Sequence, residues 1–176
     1  FTPLLWQLNP GDPVFMDPKI KGTFTLDDIP TGKDLVMVAT GTGLGPYMSM
    51  LTTYRGTGRW RKLVLIEGCR YVTDLGYHDT LCGLAATDDT VSYLPTVTRE
   101  PADSPWQGLR GRVHHVLETD TYRKLTGAEL DPQTCHVMLC GSPQMIDEAA
   151  ANLTGLGFVT KDRDQPNGNL HFERYW

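Results

Sequence analysis

The chain has 176 residues, of which 40% are hydrophobic and 21% charged, enough for one folded domain or one domain with a piece of a second, and too apolar for a disordered chain. Its 16 Lys and Arg against 21 Asp and Glu leave a net charge of −5, which argues against non-specific nucleic-acid binding. No apolar run approaches the roughly 18 residues needed to cross a bilayer, so no membrane segment is expected. Residues 1–33 are punctuated by Pro3, Pro10, Gly11, Pro13, Pro18, Gly22, Pro30 and Gly32, with short apolar pieces such as Leu4-Leu5-Trp6 and Val14-Phe15-Met16 between them. That texture predicts short antiparallel strands and turns, the edge of something larger.

From Asp34 the pattern changes. Leu35-Val36-Met37-Val38-Ala39 is a continuous apolar run, as expected for a strand buried on both faces. A glycine-rich turn follows, then a predicted helix from Pro46 to about Tyr54. Leu63-Val64-Leu65-Ile66 predicts a second buried strand, Asp79 to Ala86 a weaker helix, and Val91 to Val97 a third strand. Short helices are expected at Val113 to Glu118 and around Tyr122. His136-Val137-Met138-Leu139-Cys140 reads as another buried strand, Pro143 to Leu156 as a helix with Pro in its first turn, and Leu170 to Trp176 as a final strand. Strands alternating with helices imply an α/β fold: a Rossmann-like parallel sheet with helices on both faces.

Thr40-Gly41-Thr42-Gly43-Leu44-Gly45-Pro46 joins the first strand to its helix. Glycines there let the backbone turn tightly and bring N–H groups close to a ligand, and the following helix start favours a phosphate. The plainer reading is a tight turn with no ligand. A dinucleotide site commonly places an acidic residue at the end of the second strand, for the ribose hydroxyls. Here Glu67 falls within the strand and Arg70 stands beyond its end, which favours a 2′-phosphate and hence NADP over NAD. Arg99 and Arg112 follow later sheet elements on the same presumed side; taken singly, each also reads as a solvated surface residue.

The four cysteines, Cys69, Cys82, Cys135 and Cys140, show no C-x-x-C spacing, and the five histidines offer no H-x-x-x-H pair. No metal is expected, and a reducing, cytoplasmic setting is. Arg55, Arg59, Arg61 and Lys62 form a basic run that reads either as a solvated helix end or as a dock for an acidic electron carrier.

Taken together, Ala39 to Pro46, Arg70-Tyr71, Val97-Thr98-Arg99-Glu100, Met138 to Met145 and the ending Glu173-Arg174-Tyr175-Trp176 occur in the order seen in the ferredoxin/flavodoxin–NADP reductases, and the ending resembles the bacterial branch of that family. Pro10-Gly11-Asp12 and Gly22 to Asp27 resemble the family's segment between flavin barrel and nucleotide domain. The resemblance implies that residues 1–33 are the last part of an FAD-binding β-barrel with its linker, and that 34–176 form an NADP-binding domain. It implies NADP(H) and FAD as cofactors, hydride transfer between nicotinamide and flavin, and ferredoxin or flavodoxin as partner to a monomer.

Carried over by position, the loop of Gly41, Thr42, Gly43 and Gly45 would hold the pyrophosphate. Cys69 and Arg70 would contact the nucleotide phosphates, and Thr98, Arg99 and Arg112 would surround the 2′-phosphate. Met138, Leu139, Cys140, Gly141 and Ser142 would line the path to the nicotinamide. Cys140, Glu173 and Thr42 would be catalytic, with Cys140 near the reacting carbon. Tyr175 would cover the flavin ring, and Trp176 would pack on the adenine side. The family's Arg-x-Tyr-Ser flavin motif is absent from these residues. The expectation is therefore weak FAD binding by this chain alone. The same features fit the reductase component of an oxygenase system or a nucleotide-binding module without redox activity.

Overall fold

The computed structural model describes residues 2–19 and 22–174. Six parallel strands form one sheet: β1 (Asp34–Thr40), β2 (Lys62–Cys69), β3 (Val91–Val97), β4 (Leu109–Arg110), β5 (Cys135–Gly141) and β6 (Leu170–Arg174). Their order across the sheet is β4-β3-β2-β1-β5-β6. The chain therefore builds outward from β1 in one direction, then crosses back to add β5 and β6 on the other side. The gap between the carboxyl ends of β1 and β5 is the topological switch point, where open α/β sheets bind ligands.

Both faces of the sheet are covered, which is why its central strands read as unbroken apolar runs. One layer takes Leu35, Met37, Leu65, Met138 and Cys140 under α2 (Leu44–Tyr54) and α3 (His78–Thr87). The other takes Val36, Val38, Ile66, Val137 and Leu139 under α4 (Val113–Val116), α5 (Thr119–Thr126) and α6 (Pro143–Gly155). Successive strand residues thus alternate between the two layers, as the period of two requires. Among the described residues no helix is long and apolar enough to cross a membrane.

Most elements fall where the sequence places them, with instructive departures. The strands expected before residue 33 are absent among the described residues. Thr2–Leu5 forms one short helix, α1, and the rest of the segment runs in turns and irregular backbone. A strand needs a neighbour to take its backbone hydrogen bonds, and here Phe15 is 99% and Trp6 89% exposed with no strand beside them. The segment joins the body of the fold near its end: Leu26 and Ile29 enter the layer beneath α2 with Phe24 packed against it, the Arg59 guanidinium donates to the Leu26 and Ile29 carbonyls at 2.6 and 3.1 Å, and Asp28 pairs with Lys161.

Helix α2 begins at Leu44, so Pro46 is its third residue; the missing proline N–H falls among first-turn donors that have no intrahelical acceptor. Pro143, by contrast, is the first residue of α6, as expected. The two-residue β4 has no counterpart in the sequence reading. The final strand is described to Arg174, and Tyr175 and Trp176 lie outside the described residues.

Candidate functional site

At the switch point the backbones of two loops touch. Gly43 sits so close to β5 that a Cβ there would lie 2.2 Å from the Cys140 carbonyl oxygen. Gly141, at φ +136°, sits against Thr40, where a Cβ would fall 2.4 Å from Oγ1, and that hydroxyl accepts the Ser142 N–H at 3.1 Å. Gly41, at φ +54°, turns the chain out of β1 with open space above it. The three glycines therefore do different jobs: Gly41 frees the backbone to turn, while Gly43 and Gly141 allow the two loops to meet. Gly45 is exposed and meets nothing.

Beyond this junction a cleft of about 780 Å³ opens along the carboxyl ends of the strands. Of the residues singled out from the sequence, it brings together Gly41, Cys69, Arg70, Thr98, Arg99, Arg112 and Ser142. The loops after β2 and β3 are held as an extension of the sheet: the Arg99 N–H donates to the Arg70 carbonyl at 2.8 Å and the Thr98 N–H to that of Cys69 at 3.1 Å. Val72 N–H donates to the Glu100 carboxylate at 2.9 Å. The exposed side chains of Arg70 and Arg99 are thereby carried on a fixed backbone. Arg110, the neighbour of β3 on the other side, is spent on the Glu100 and Pro101 carbonyls.

The Cys69 thiol donates to the Asp74 carbonyl at 3.3 Å. Burial, reinforced by the Glu67 carboxylate, pushes its pKa up to about 12, so it is a hydrogen-bond donor at neutral pH rather than a nucleophile. Glu67 itself is buried and fully engaged: Tyr93 O–H donates to it at 2.5 Å and Gly76 N–H at 2.8 Å. Burial raises its pKa against the pull of these bonds. The position that often holds a ribose is therefore committed to the protein interior, as its place inside β2 suggested.

A second group lies outside the cleft lining. Cys140 and Glu173 are register partners on β5 and β6, and Gly43 brings the Thr42 loop onto the Cys140 carbonyl. Thr42 is exposed and Glu173 half-buried. Met138 and Leu139, expected along a path to the nicotinamide, are instead fully buried in opposite layers, and Cys140 is fully buried too. A strand in mid-sheet has both faces covered, which is why Met138 and Leu139 are buried while the strand's carboxyl end, at Cys140 and Gly141, meets the Thr42 loop.

The basic run also resolves differently from a free docking patch. Arg59 packs on Trp60 with 4.6 Å between guanidinium carbon and ring centroid, Arg61 pairs with buried Asp34 at 2.7 Å, and Lys62 donates to the Thr126 carbonyl. Three of its four cations serve the fold. Sequence reasoning missed Gln144, Met145 and Glu148 on α6 and His114 on α4, which also line the cleft. Gln144 and Glu148 are four apart on a helix that starts beside Ser142, and that spacing puts them on one face; it was the available signal.

Residues 37–151 match the family model described as an oxidoreductase NAD-binding domain. The flavodoxin/ferredoxin–NADP reductase of Escherichia coli (strain K12) is 34% identical over 176 residues, an alignment covering 99% of this chain and 70% of that protein. The chain belongs to this family. The reductase of the same name from Buchnera aphidicola of Schizaphis graminum is 33% identical, across 98% of this chain and 66% of its own length. In structure, the chain is similar to the ferredoxin NADP+ reductase of Neisseria gonorrhoeae, solved with bound FAD and NADP, at a TM-score of 0.86 and 25% identity, over 99% of this chain and 69% of that one. The chain thus spans about two thirds of the length of these reductases.

Proposed function

We propose that this chain is the NADP(H)-binding part of an FAD-dependent reductase that passes electrons between NADP(H) and ferredoxin or flavodoxin. The observation that carries the reading is the gathering of Arg70, Arg99 and Arg112 around one cleft at the switch point, next to Gly41. Three cations from three separate loops suit a 2′-phosphate and the pyrophosphate of one dinucleotide. The cofactors are NADP(H) and FAD: the pair supplies hydride chemistry on one side and single-electron chemistry on the other.

In this reading the turn at Gly41 and the first turn of α2 face the pyrophosphate, with Cys69 and Thr98 between the flanking arginines. Cys140, Gly141, Ser142 and Glu173, at the ends of β5 and β6, place the nicotinamide, and Thr42 stands between it and the flavin. Tyr175 and Trp176 complete the flavin and adenine contacts. Residues 34–176 form the nucleotide domain; residues 1–33 form the end of the flavin barrel and its linker, held to the domain by Leu26 and Ile29. The protein works as a cytoplasmic monomer.

Calorimetric titration of this chain with 2′-phospho-AMP, against 5′-AMP as control, tests the reading. Preference for the 2′-phosphate is expected, with Arg112→Ala losing roughly tenfold in affinity for 2′-phospho-AMP, the low end for a charge-assisted contact. Equal binding of the two nucleotides, unaffected by Arg112→Ala, would reject the phosphate site.

A further inference from the structure

Among the three arginines of the cleft, Arg112 stands apart because an internal anion already occupies it. Its Nη1 donates to both carboxylate oxygens of Glu148, at 3.1 and 3.0 Å. Glu148 also accepts from Gln144 Nε2 at 2.9 Å, and His114 Nδ1 lies 3.3 Å away. Arg70 and Arg99, by contrast, have no ion pair among the described residues. The carboxylate is thus held by Gln144 and Arg112, with His114 beside it, in a cleft that also carries Arg70 and Arg99, and it sits on the arginine assigned above to the 2′-phosphate.

We propose that Glu148 is a built-in counter-ion that a 2′-phosphate must displace from Arg112, and that it thereby lowers the preference of this site for NADP(H) over NAD(H). The inference rests on the nucleotide-site reading above.

Its physical basis is competition. A phosphate approaching Arg112 meets a fixed negative charge at hydrogen-bond distance from the same guanidinium, so it must break the pair or share the cation with a like charge. A ribose with a free 2′-hydroxyl meets no such obstacle, because a hydroxyl can donate to a carboxylate, the usual arrangement in NAD sites. The hydrogen bond from Gln144, then the charge of Arg112, hold the Glu148 carboxyl below the usual range, so it stays ionised at neutral pH.

A purely structural role for the pair is disfavoured by where the two helices get their anchorage. Helix α6 is seated by Met145, Ile146, Ala149 and Leu153, and α4 by Val113 and Val116, all buried. The Arg112 and Glu148 side chains remain 53% and 35% exposed. Neither helix needs the ion pair to stay in place.

The test is titration of wild type, Glu148→Gln and Glu148→Ala with 2′-phospho-AMP and 5′-AMP, with circular dichroism as a check on folding. Glu148→Gln is expected to bind 2′-phospho-AMP about two- to fivefold more tightly, the range set by exposed ion pairs, and to raise the ratio of the two affinities. Glu148→Ala repeats the result without the amide. An unchanged or lowered ratio in both variants, with wild type still preferring 2′-phospho-AMP, would overturn the inference alone; the carboxylate would then be orienting Arg112 for the phosphate. No preference in wild type and no effect of Arg112→Ala would overturn the nucleotide reading and this inference with it.

Discussion

Glycine 43 and glycine 41 lie two positions apart in one loop, yet a methyl group at each should have different consequences. At Gly43 a Cβ would meet the Cys140 carbonyl oxygen at 2.2 Å and its carbon at 2.5 Å. These are backbone atoms of a central strand and cannot rotate away. Gly43→Ala should therefore cost at least the upper end of the about 1–3 kcal/mol typical of overpacking. Gly41→Ala meets open space and carries only the strain of a left-handed backbone, about 1–2 kcal/mol. Urea unfolding of the two variants checks the order, and a larger loss for Gly41→Ala would refute it. At this scale the motif was legible as glycines, but which glycine serves a turn and which a loop-to-strand contact was not, since that depends on β5 arriving beside β1 from about a hundred residues further along the chain.

At the scale of elements, the edge made by β5 and β6 carries a titratable pair. His136 Nδ1 and His171 Nε2 are 3.2 Å apart, beside Lys33, Lys161 and the Asp28 that pairs with Lys161. Burial first, then the charge that His136 would carry and that of Lys161, holds His171 down to about 4, against an ordinary value of 6.5. His136 is also lowered, by burial and then by Lys33. The sign follows from proton counting. Below about pH 6.5 the unfolded chain binds protons that the folded imidazoles exclude, so stability is lost as pH falls from about 6.5 toward 4. The urea midpoint should decline across that window, and His171→Gln should flatten the decline. An equal slope in wild type and variant would remove the pair from the explanation. Neither partner was legible as a pair: the histidines stand 35 residues apart and meet only because β6 is added next to β5. The strands themselves were legible, because β1, β2 and β5 are buried on both faces and so spell continuous apolar runs. The two-residue β4 is too short to carry any period, and it exists only where β3 offers it hydrogen bonds.

At the scale of the whole molecule, the fold divides into a sheet covered on both faces and an amino-terminal segment with few contacts. Phe15 is fully in solvent, Met16 is 86% exposed, and the Arg-x-Tyr-Ser signature of the family's flavin site is missing from these residues. This chain, mixed with FAD and passed through gel filtration, is expected to emerge without flavin absorbance. Co-elution of about one flavin per chain would show that these residues alone supply enough contacts to hold it.

The sequence by itself determined the fold class, the family, the alternation of strands and helices, and the identity of the cations around the cleft. Each of these is written in local signals: apolar runs of strand length, glycines after the first strand, and arginines placed just past strand ends. Only the tertiary structure decided which of these residues lie together. It buried Met138 and Leu139 in opposite layers, engaged Arg59, Arg61 and Lys62 of the basic run with partners in the fold, and set Glu148 against Arg112. A side chain's partner is fixed by strand order and helix packing, which bring together residues far apart along the chain. No window of sequence around either partner contains that information.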